Sequence, residues 1–569
     1  MFHTRRYKIL NQNCNERVAV SLVPGQQTLG YRYMYEKLTE KGDLLDERIR
    51  YFEPLLAADH LARLLSQEQS VLAGDEMQID GGITIKKETD ATQIDEQVKS
   101  QELLDPDMDP LLLVTSPSHP FQNTHFYVGR ICIDSLAISS SLRLNDKSLL
   151  LEPSRFTGSG VRVNLNLAPL VAAGGGYSLF PGQIVGIEAT NPSGRSLNVS
   201  KLHLPPQLPI PTSNTTQLRN YYPSTKSNQS THIVTASGPY ALSDSLWFEP
   251  LADLVATLIK DTPDVLILLG PFVSINHPLI ENGMIDMSPN EIFKQRIAPI
   301  LKQLVDSTAL KNGEAGGVQI ILVPSTSDAC SEYLAFPQPP LASAPIAASA
   351  DAYNNRQRLA DMGLDTLGTN VLLFPNPVQF TVNELVVCVS SIDTVFDINQ
   401  AQLTHAATAP AATETGVLGK SDRIAGVFQH VLNQRCLYPL YPPASGANLD
   451  TTRALSIIST TPTAIKAEIP DMDTHMADEN DQPPTGATQL VAIPDILIIP
   501  SRLQPTTKQI GQTLCVNPGH MTKNGSGKSA GGYARIVVHG FEIPEDAGTN
   551  DEVVEHCVAD RARVQIMRV

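Results

Sequence analysis

The chain has 569 residues, 42% of them hydrophobic and 18% charged, and a formal net charge of −17. That length accommodates two or three domains, each with its own core. The charge excludes a protein that holds duplex DNA over its whole surface, because phosphate contacts need clustered Lys and Arg. The seven cysteines (14, 132, 330, 388, 436, 515 and 557) form no C-x-x-C pair, so neither a zinc ribbon nor a disulfide framework is expected and reduced thiols are. With no run of 18 apolar residues and no signal-peptide core at the N-terminus, the expectation is a soluble intracellular protein without a membrane partner.

From Tyr31 the apolar residues Met34, Leu38, Leu45, Ile49, Phe52 and Leu56 recur at helical spacing with charges between them. They predict, within an N-terminal segment 1–65, a helix that packs on the next domain; a coiled coil is disfavoured by Gly42. Residues 66–118 read as an acidic, flexible linker: between Asp75 and Asp109 there are 11 acidic residues against 3 basic ones, too polar to offset the entropy of ordering. Short β-rich runs then follow at 125–134, 148–153, 161–167, 183–190 and 197–204. Five such strands predict an OB barrel at 119–205, with a bulge at Gly129. Over 125–204 there are seven Lys or Arg against four acids, and Arg130, Lys147, Arg162 and Lys201 are candidate contacts to single-stranded nucleic acid. Aromatic platforms are sparse there, so a protein-docking barrel is the preferred reading.

A Pro/Ser/Thr/Asn-rich connector (206–230) leads to an α/β domain at 231–545. Strands are predicted at 232–236, 265–269, 318–323, 371–374, 385–389, 496–499 and 533–539, and helices at 246–259, 292–305 and 424–434. The unbroken apolar run Val265 to Leu269, stopped by Gly270, reads as a strand buried on both faces in a central parallel sheet. Residues 444–488 are expected to be a disordered insert, and 546–569 a tail with a last strand near 564–569.

In open α/β sheets the chemistry sits just past the carboxyl ends of the strands. The strand–loop–helix order suggests a calcineurin-like metallophosphoesterase. Such an enzyme needs Asp-x-His, Gly-Asp, Gly-Asn-His-Asp and Gly-His-x-His loops to hold two metals about 3.5–4 Å apart. The corresponding loops here read Ser237-Gly238-Pro239, Gly270-Pro271-Phe272, Pro324-Ser325-Thr326-Ser327-Asp328 and Pro500-Ser501-Arg502. Asp328 is the one carboxylate left, with His277 and His430 as isolated imidazoles. They make no two-metal cage, so no catalytic residue, metal or cofactor is expected. Gly525-Ser526-Gly527-Lys528-Ser529 imitates a phosphate-binding loop, but Thr522 stands where that loop needs its first glycine, and a glycine-rich turn is the better reading.

Longer phrases carry a resemblance. They include Asn145-Asp146-Lys147-Ser148, Tyr177-Ser178-Leu179-Phe180-Pro181-Gly182-Gln183, Ser237-Gly238-Pro239-Tyr240 and Gly270-Pro271-Phe272. Further along come Val323-Pro324-Ser325, Phe336-Pro337-Gln338-Pro339-Pro340, Tyr438-Pro439-Leu440-Tyr441-Pro442-Pro443, Ile499-Pro500-Ser501 and Val516-Asn517-Pro518-Gly519. In collinear order, over roughly 31–60 and 125–540, the chain resembles the non-catalytic B subunits of the eukaryotic DNA polymerase alpha–primase complex. The resemblance implies an OB-fold barrel fused to an inactive calcineurin-like phosphoesterase α/β sandwich. It also implies docking on the C-terminal domain of the catalytic subunit of DNA polymerase alpha, primase subunits reached through the complex, weak or indirect DNA contact, residence in the nucleus and support of RNA–DNA primer synthesis. Relatives carry an N-terminal helical domain; this sequence opens close to the predicted helix, and the expectation is a chain without that domain. The turn holding Tyr438 and Tyr441 is expected to be a rigid corner.

Overall fold

The computed structural model describes residues 18–23, 28, 31, 37, 39–74, 108–134, 144–222, 230–312, 317–343, 352–408, 422–455, 493–522, 531–541 and 553–568. Its contacts divide the chain into two units: Leu45–Pro206 with Ala401–Ser421, and Met1–Leu44 with Gln207–Gln400 and Asp422–Val569.

The smaller unit is a closed five-stranded barrel in the order Phe121–Ile133, Leu149–Glu152, Val163–Asn166, Ser196–His203, Ile184–Asn191. Alternation along these strands turns Ile131, Leu149, Leu151, Val163, Leu165, Ile187, Leu197 and Val199 into one core. This is the OB architecture. Gly129 is not a bulge: it stays in register opposite Val185, and the irregularity falls between Phe121 and His125. Its missing side chain serves the other neighbour, since a Cβ there would lie 2.7 Å from the Glu152 carbonyl oxygen. A sixth strand, Tyr177–Leu179, pairs with Leu403–His405; it is too short to show a period.

The helix spans Glu40–Gly74, beginning after Tyr31, running through Gly42 and continuing into the stretch expected to be linker. Its Ile49, Phe52 and Leu56 pack on Phe126, Val128 and Ile184 of the barrel. Good helix formers at its C-terminal end (Leu64, Leu65, Gln67, Glu68) prolong it past the last packed turn. Asp109 caps a short 3-10 turn, Pro110–Leu113, and Val114 bridges to Phe126, so the end of that stretch is also built into the unit. The acidic residues 75–107 lie outside the described residues.

The larger unit stacks two six-stranded sheets. One runs Val371–Leu373, Gln319–Val323, Val265–Leu269, Thr231–Ser237, Gly532–Val538, Ala562–Arg568; the other runs Val20–Leu22, Val378–Val382, Leu385–Val389, Ile496–Ile498, Thr513–Asn517, Thr506–Ile510. Val265–Leu269 is central, parallel to both neighbours and wholly buried. Val265, Ile267 and Leu269 face the second sheet through Phe380, Val387 and Ile498. Leu266 and Leu268 face helices Glu249–Asp261 and Ala298–Asn312 through Leu254, Leu258 and Leu301. Each of these five aliphatic side chains contributes about 1.5–3 kcal/mol by leaving water, which is why so short a run organises the sheet.

Several expectations are corrected in this unit. Tyr31 is not helical: its hydroxyl donates to the carbonyls of Ala335 (2.9 Å) and Pro337 (3.0 Å), and the Arg453 guanidinium lies 4.2 Å from its ring centroid. The connector holds strand Thr212–Asn214, paired with Val553–Glu555, and helix Thr215–Tyr221. The insert expected from 444 begins with structure, because Leu449 bridges to Phe336 and helix Thr451–Leu455 buries Ala454 and Leu455. The tail strand is the antiparallel edge of the first sheet. Residues 456–492 and the Gly525–Ser529 turn lie outside the described residues.

Candidate functional site

The loops after the parallel strands converge as the resemblance implies, and amides and carbonyls close them. Gly238 meets the loop after Val265–Leu269 so closely that a Cβ would lie 2.0 Å from the Pro271 carbonyl oxygen; at Gly270 a Cβ would lie 2.1 Å from Asp328 Oδ2. Glycine is required at both positions by this approach. Gly238-Pro239, Gly270-Pro271, Phe336-Pro337 and Tyr441-Pro442 are cis. The Tyr240 hydroxyl sits between the carbonyls of Ala236 (3.0 Å) and Leu269 (2.9 Å), and its ring stacks on Phe272 at 5.7 Å.

Asp328 is fully buried and spent on backbone. Its Oδ1 accepts from the N–H groups of Phe272 and Val273 (3.2 Å to the latter), and Oδ2 accepts from Ser325 (2.9 Å). Burial pushes its carboxyl up to about 7 against the pull of these three donors. Next to it Gln338 donates to the Ser325 carbonyl (3.1 Å) and accepts from Asn376 Nδ2 (2.9 Å), while Asn376 Oδ1 accepts from Ser391 N (3.0 Å). Asn517 does the same for the last loop, accepting from Ser501 N (2.8 Å) and Gly519 N (2.9 Å). His520 Nδ1 donates to the Gly238 carbonyl (2.7 Å), and burial holds this imidazole below its usual range, hence neutral.

The other imidazoles are placed elsewhere. His277 accepts from Leu279 N (3.2 Å) at the start of a short helix and lies 2.7 Å from the Leu242 carbonyl. His430 is buried in helix Arg423–Asn433, and burial lowers it to about 4. Tyr438, also buried, donates to Asp397 (2.9 Å) and accepts from Ala444 N (3.2 Å), which makes its turn a hydrogen-bonded corner. Among the described residues, the one group of His, Cys, Asp or Glu at metal-ligand spacing is His60, Glu188 and His203, none of them in these loops. Ser213 Oγ, His556 and Asp495 do line up at nucleophilic-triad distances (2.7 and 2.8 Å). All three are buried, however, and Asp495 also accepts from Val386 N (2.8 Å), so the array serves to tie the Thr212–Asn214 pair to the sheet. Gln338, Asn376, His520 and Asp495 were not singled out from the sequence by role; the Asn-Pro after one strand and the His directly after Asn517-Pro518-Gly519 were the available signals.

Three of the four candidate cations are committed. Glu152 accepts from Arg130 (3.0 Å) and Arg162 (2.7 Å), and Lys201 lies 3.2 Å from Glu188. Arg130 is itself buried. Burial raises the Glu152 carboxyl, but Arg130 and the hydrogen bonds from Cys132 and Arg162 outweigh it and hold the group below its usual value. Lys147 is exposed, and its turn is fixed by Asn145 Oδ1, which accepts from Lys147 N and Ser148 N at 3.0 Å each.

The described residues thus combine a closed five-stranded barrel with an α/β sandwich whose strand-end loops are closed by their own hydrogen bonds. The family described as the DNA polymerase alpha/epsilon B subunit matches residues 233–508, and the OB domain of the DNA polymerase alpha B subunit matches 92–204. The DNA polymerase alpha B subunit of Schizosaccharomyces pombe is 30% identical over 549 residues, covering 95% of this chain and 73% of its own length. The mouse protein of that name is 28% identical over 74% of this chain and 56% of its own, and the Saccharomyces cerevisiae one 28% over 79% and 59%. An archaeal phosphodiesterase structure aligns over 60% of this chain at 7% identity and a TM-score of 0.24, a likeness on which nothing here rests. The chain belongs to the family of DNA polymerase alpha B subunits.

Proposed function

We propose that this chain is a non-catalytic scaffold subunit of the polymerase alpha–primase assembly in the nucleus. It docks on the C-terminal domain of the catalytic subunit, reaches the primase subunits through the complex and supports RNA–DNA primer synthesis at initiation. The observation that carries the reading is Asp328: the one carboxylate within the four loop segments compared above has all three of its described hydrogen bonds to backbone N–H groups, which is the use of a structural group rather than of a metal ligand or base. Family membership supplies the partner. Single-stranded DNA binding is secondary, since Arg130, Arg162 and Lys201 are held by carboxylates.

The test is co-expression with the catalytic subunit's C-terminal domain, read by native mass, alongside a phosphodiester-cleavage assay of the free chain with added Mn2+. A one-to-one complex and no turnover are expected. Turnover abolished by Asp328→Asn, or a folded chain that forms no complex, defeats the proposal.

A further inference from the structure

One cluster in the barrel unit is used neither by the sealed loops nor by the scaffold reading. His60, on helix Glu40–Gly74, is about nine-tenths buried, stacked on Phe126 at 4.2 Å with ring planes 6° apart. Its Nδ1 is buried without a hydrogen-bond partner and points at Glu188 Oε1 from 3.8 Å, beyond hydrogen-bonding range. Glu188, on strand Ile184–Asn191, accepts from His203 Nε2 at 2.9 Å on the same oxygen. His203, on strand Ser196–His203, is nearly wholly buried. The two ring nitrogens and the carboxylate oxygen all lie within 4.8 Å of one another.

We infer that His60 Nδ1, His203 Nε2 and Glu188 Oε1 form a binding site for one divalent ion of the zinc class, which would join the helix to two barrel strands. Two imidazoles and one carboxylate on three different elements are a donor set suited to zinc, leaving one coordination position for water. Bonds of about 2.0–2.2 Å in a tetrahedral site separate ligand atoms by roughly 3.3 Å, so the 2.9 Å contact has to open and the 3.8 Å contact to close by a few tenths of an ångström each, and the two ring nitrogens, within 4.8 Å of one another, have to draw to the same spacing. The orphaned Nδ1 is the independent sign of a missing partner, because buried ring nitrogens in folded proteins are almost always satisfied. Lys201 Nζ, 3.2 Å from Glu188, takes the place of an outer partner to the carboxylate.

Ligation has a stated proton balance. Since a carboxylate only accepts, His203 Nε2 now carries the proton it shares with Glu188. The ion takes the lone pair at that atom, and the proton leaves to solvent or moves to Nδ1. In the second case the Arg63 guanidinium, 3.5 Å from Nδ1 and partly exposed beside Asp59, turns away. Binding therefore weakens as pH falls.

The experiment uses the untagged full chain, stripped with chelator and reloaded with Zn2+ or Co2+. About one tightly held equivalent, a rise in unfolding temperature and cobalt visible bands without a thiolate charge-transfer band are expected; His60→Gln and His203→Gln should lose all three while keeping the parent far-UV spectrum. No retained metal and no thermal shift in the parent chain would overturn the inference and leave the cluster a buried ion pair. Equal binding by both variants, or a thiolate band, would overturn it by locating the metal elsewhere. Should either variant fail to fold, the parent's cobalt spectrum decides alone. None of these outcomes bears on complex formation, so the site and the scaffold role stand or fall separately.

Discussion

The strand-end loops of the larger unit and the strands of the barrel deal with buried polar groups in opposite ways. In the loops, proline, glycine, serine and amides predominate over ionisable side chains. What remains is a lattice in which Asp328, Gln338, Asn376 and Asn517 each bind backbone of another loop or of their own. In the barrel the charges are kept, and two carboxylates gather several partners: Arg130, Arg162 and Cys132 around Glu152, Lys201 and His203 around Glu188. These bonds fix the shape of the loops. The barrel is basic by count, yet Arg130, Arg162 and Lys201 are answered by carboxylates inside the fold. A count of residues thus overstates chemistry in both places, for different reasons.

The sharpest way to break this contrast is Asp328→Ala. It would leave three buried N–H donors without an acceptor, each worth about 1–3 kcal/mol, so a loss of roughly 3–5 kcal/mol is expected in urea unfolding. A loss under about 1 kcal/mol would mean that the lattice is not what holds the loops. Gly238→Ala should cost at least about 1–3 kcal/mol, because its new Cβ must move the Pro271 carbonyl, 2.0 Å away; backbone cannot yield as a side-chain tip can. On the barrel side, Glu152→Gln removes the counter-charge of a buried guanidinium. About 2–4 kcal/mol is expected, less than a bare charge would cost because the amide oxygen still accepts. A neutral result there would show that Arg130 finds another partner.

How far this contrast was legible beforehand depends on the range of the interaction. Val265–Leu269 was readable to the residue, because a strand buried on both faces announces itself by composition alone. The five barrel strands were readable to within a few positions from alternation and turn residues. That proline, glycine and serine fill the strand-end loops could be seen as well. The use of the remaining groups could not. That Asp328 serves the N–H groups of Phe272 and Val273 depends on a loop more than fifty residues earlier. The pairing of Thr212–Asn214 with Val553–Glu555 joins two segments that each look like linker. His60, Glu188 and His203 carry no shared spacing, and only barrel closure and helix docking bring them together.

Smaller effects separate the two kinds of buried ionisable group in the loop-bearing unit by pH. His430, lowered to about 4, binds its proton more readily in the unfolded chain. Its contribution is fully present above about pH 6.5 and is lost as pH falls toward 4. Asp328, raised to about 7, works the other way: its contribution is present below about pH 4 and lost as pH rises through 7. Each is worth up to about 3 kcal/mol over its window. Unfolding at pH 5 and pH 7.5 should therefore show His430→Gln costing more at the higher pH and Asp328→Asn costing more at the lower one. Equal costs at both values would show that neither group changes its protonation on folding.

The smallest expected effect is the one most informative about the barrel. Lys147 is exposed, whereas the side chain of Arg162 is about half-exposed and already bonded to Glu152. If the barrel held single-stranded DNA through these cations, Lys147→Ala and Arg162→Ala would each weaken binding several-fold and flatten its salt dependence. On the scaffold reading, fluorescence anisotropy with an oligothymidine should change by less than about twofold for either variant: Arg162 is neutralised by Glu152 and releases few counterions, and Lys147 makes no phosphate contact. Stability should move by no more than about 1 kcal/mol, the usual worth of a solvent-exposed ion pair. A large, salt-sensitive loss at Lys147 together with none at Arg162 would place a nucleic-acid contact at the Asn145–Ser148 turn, and would make that turn, rather than the basic strands, the part of the barrel that meets DNA.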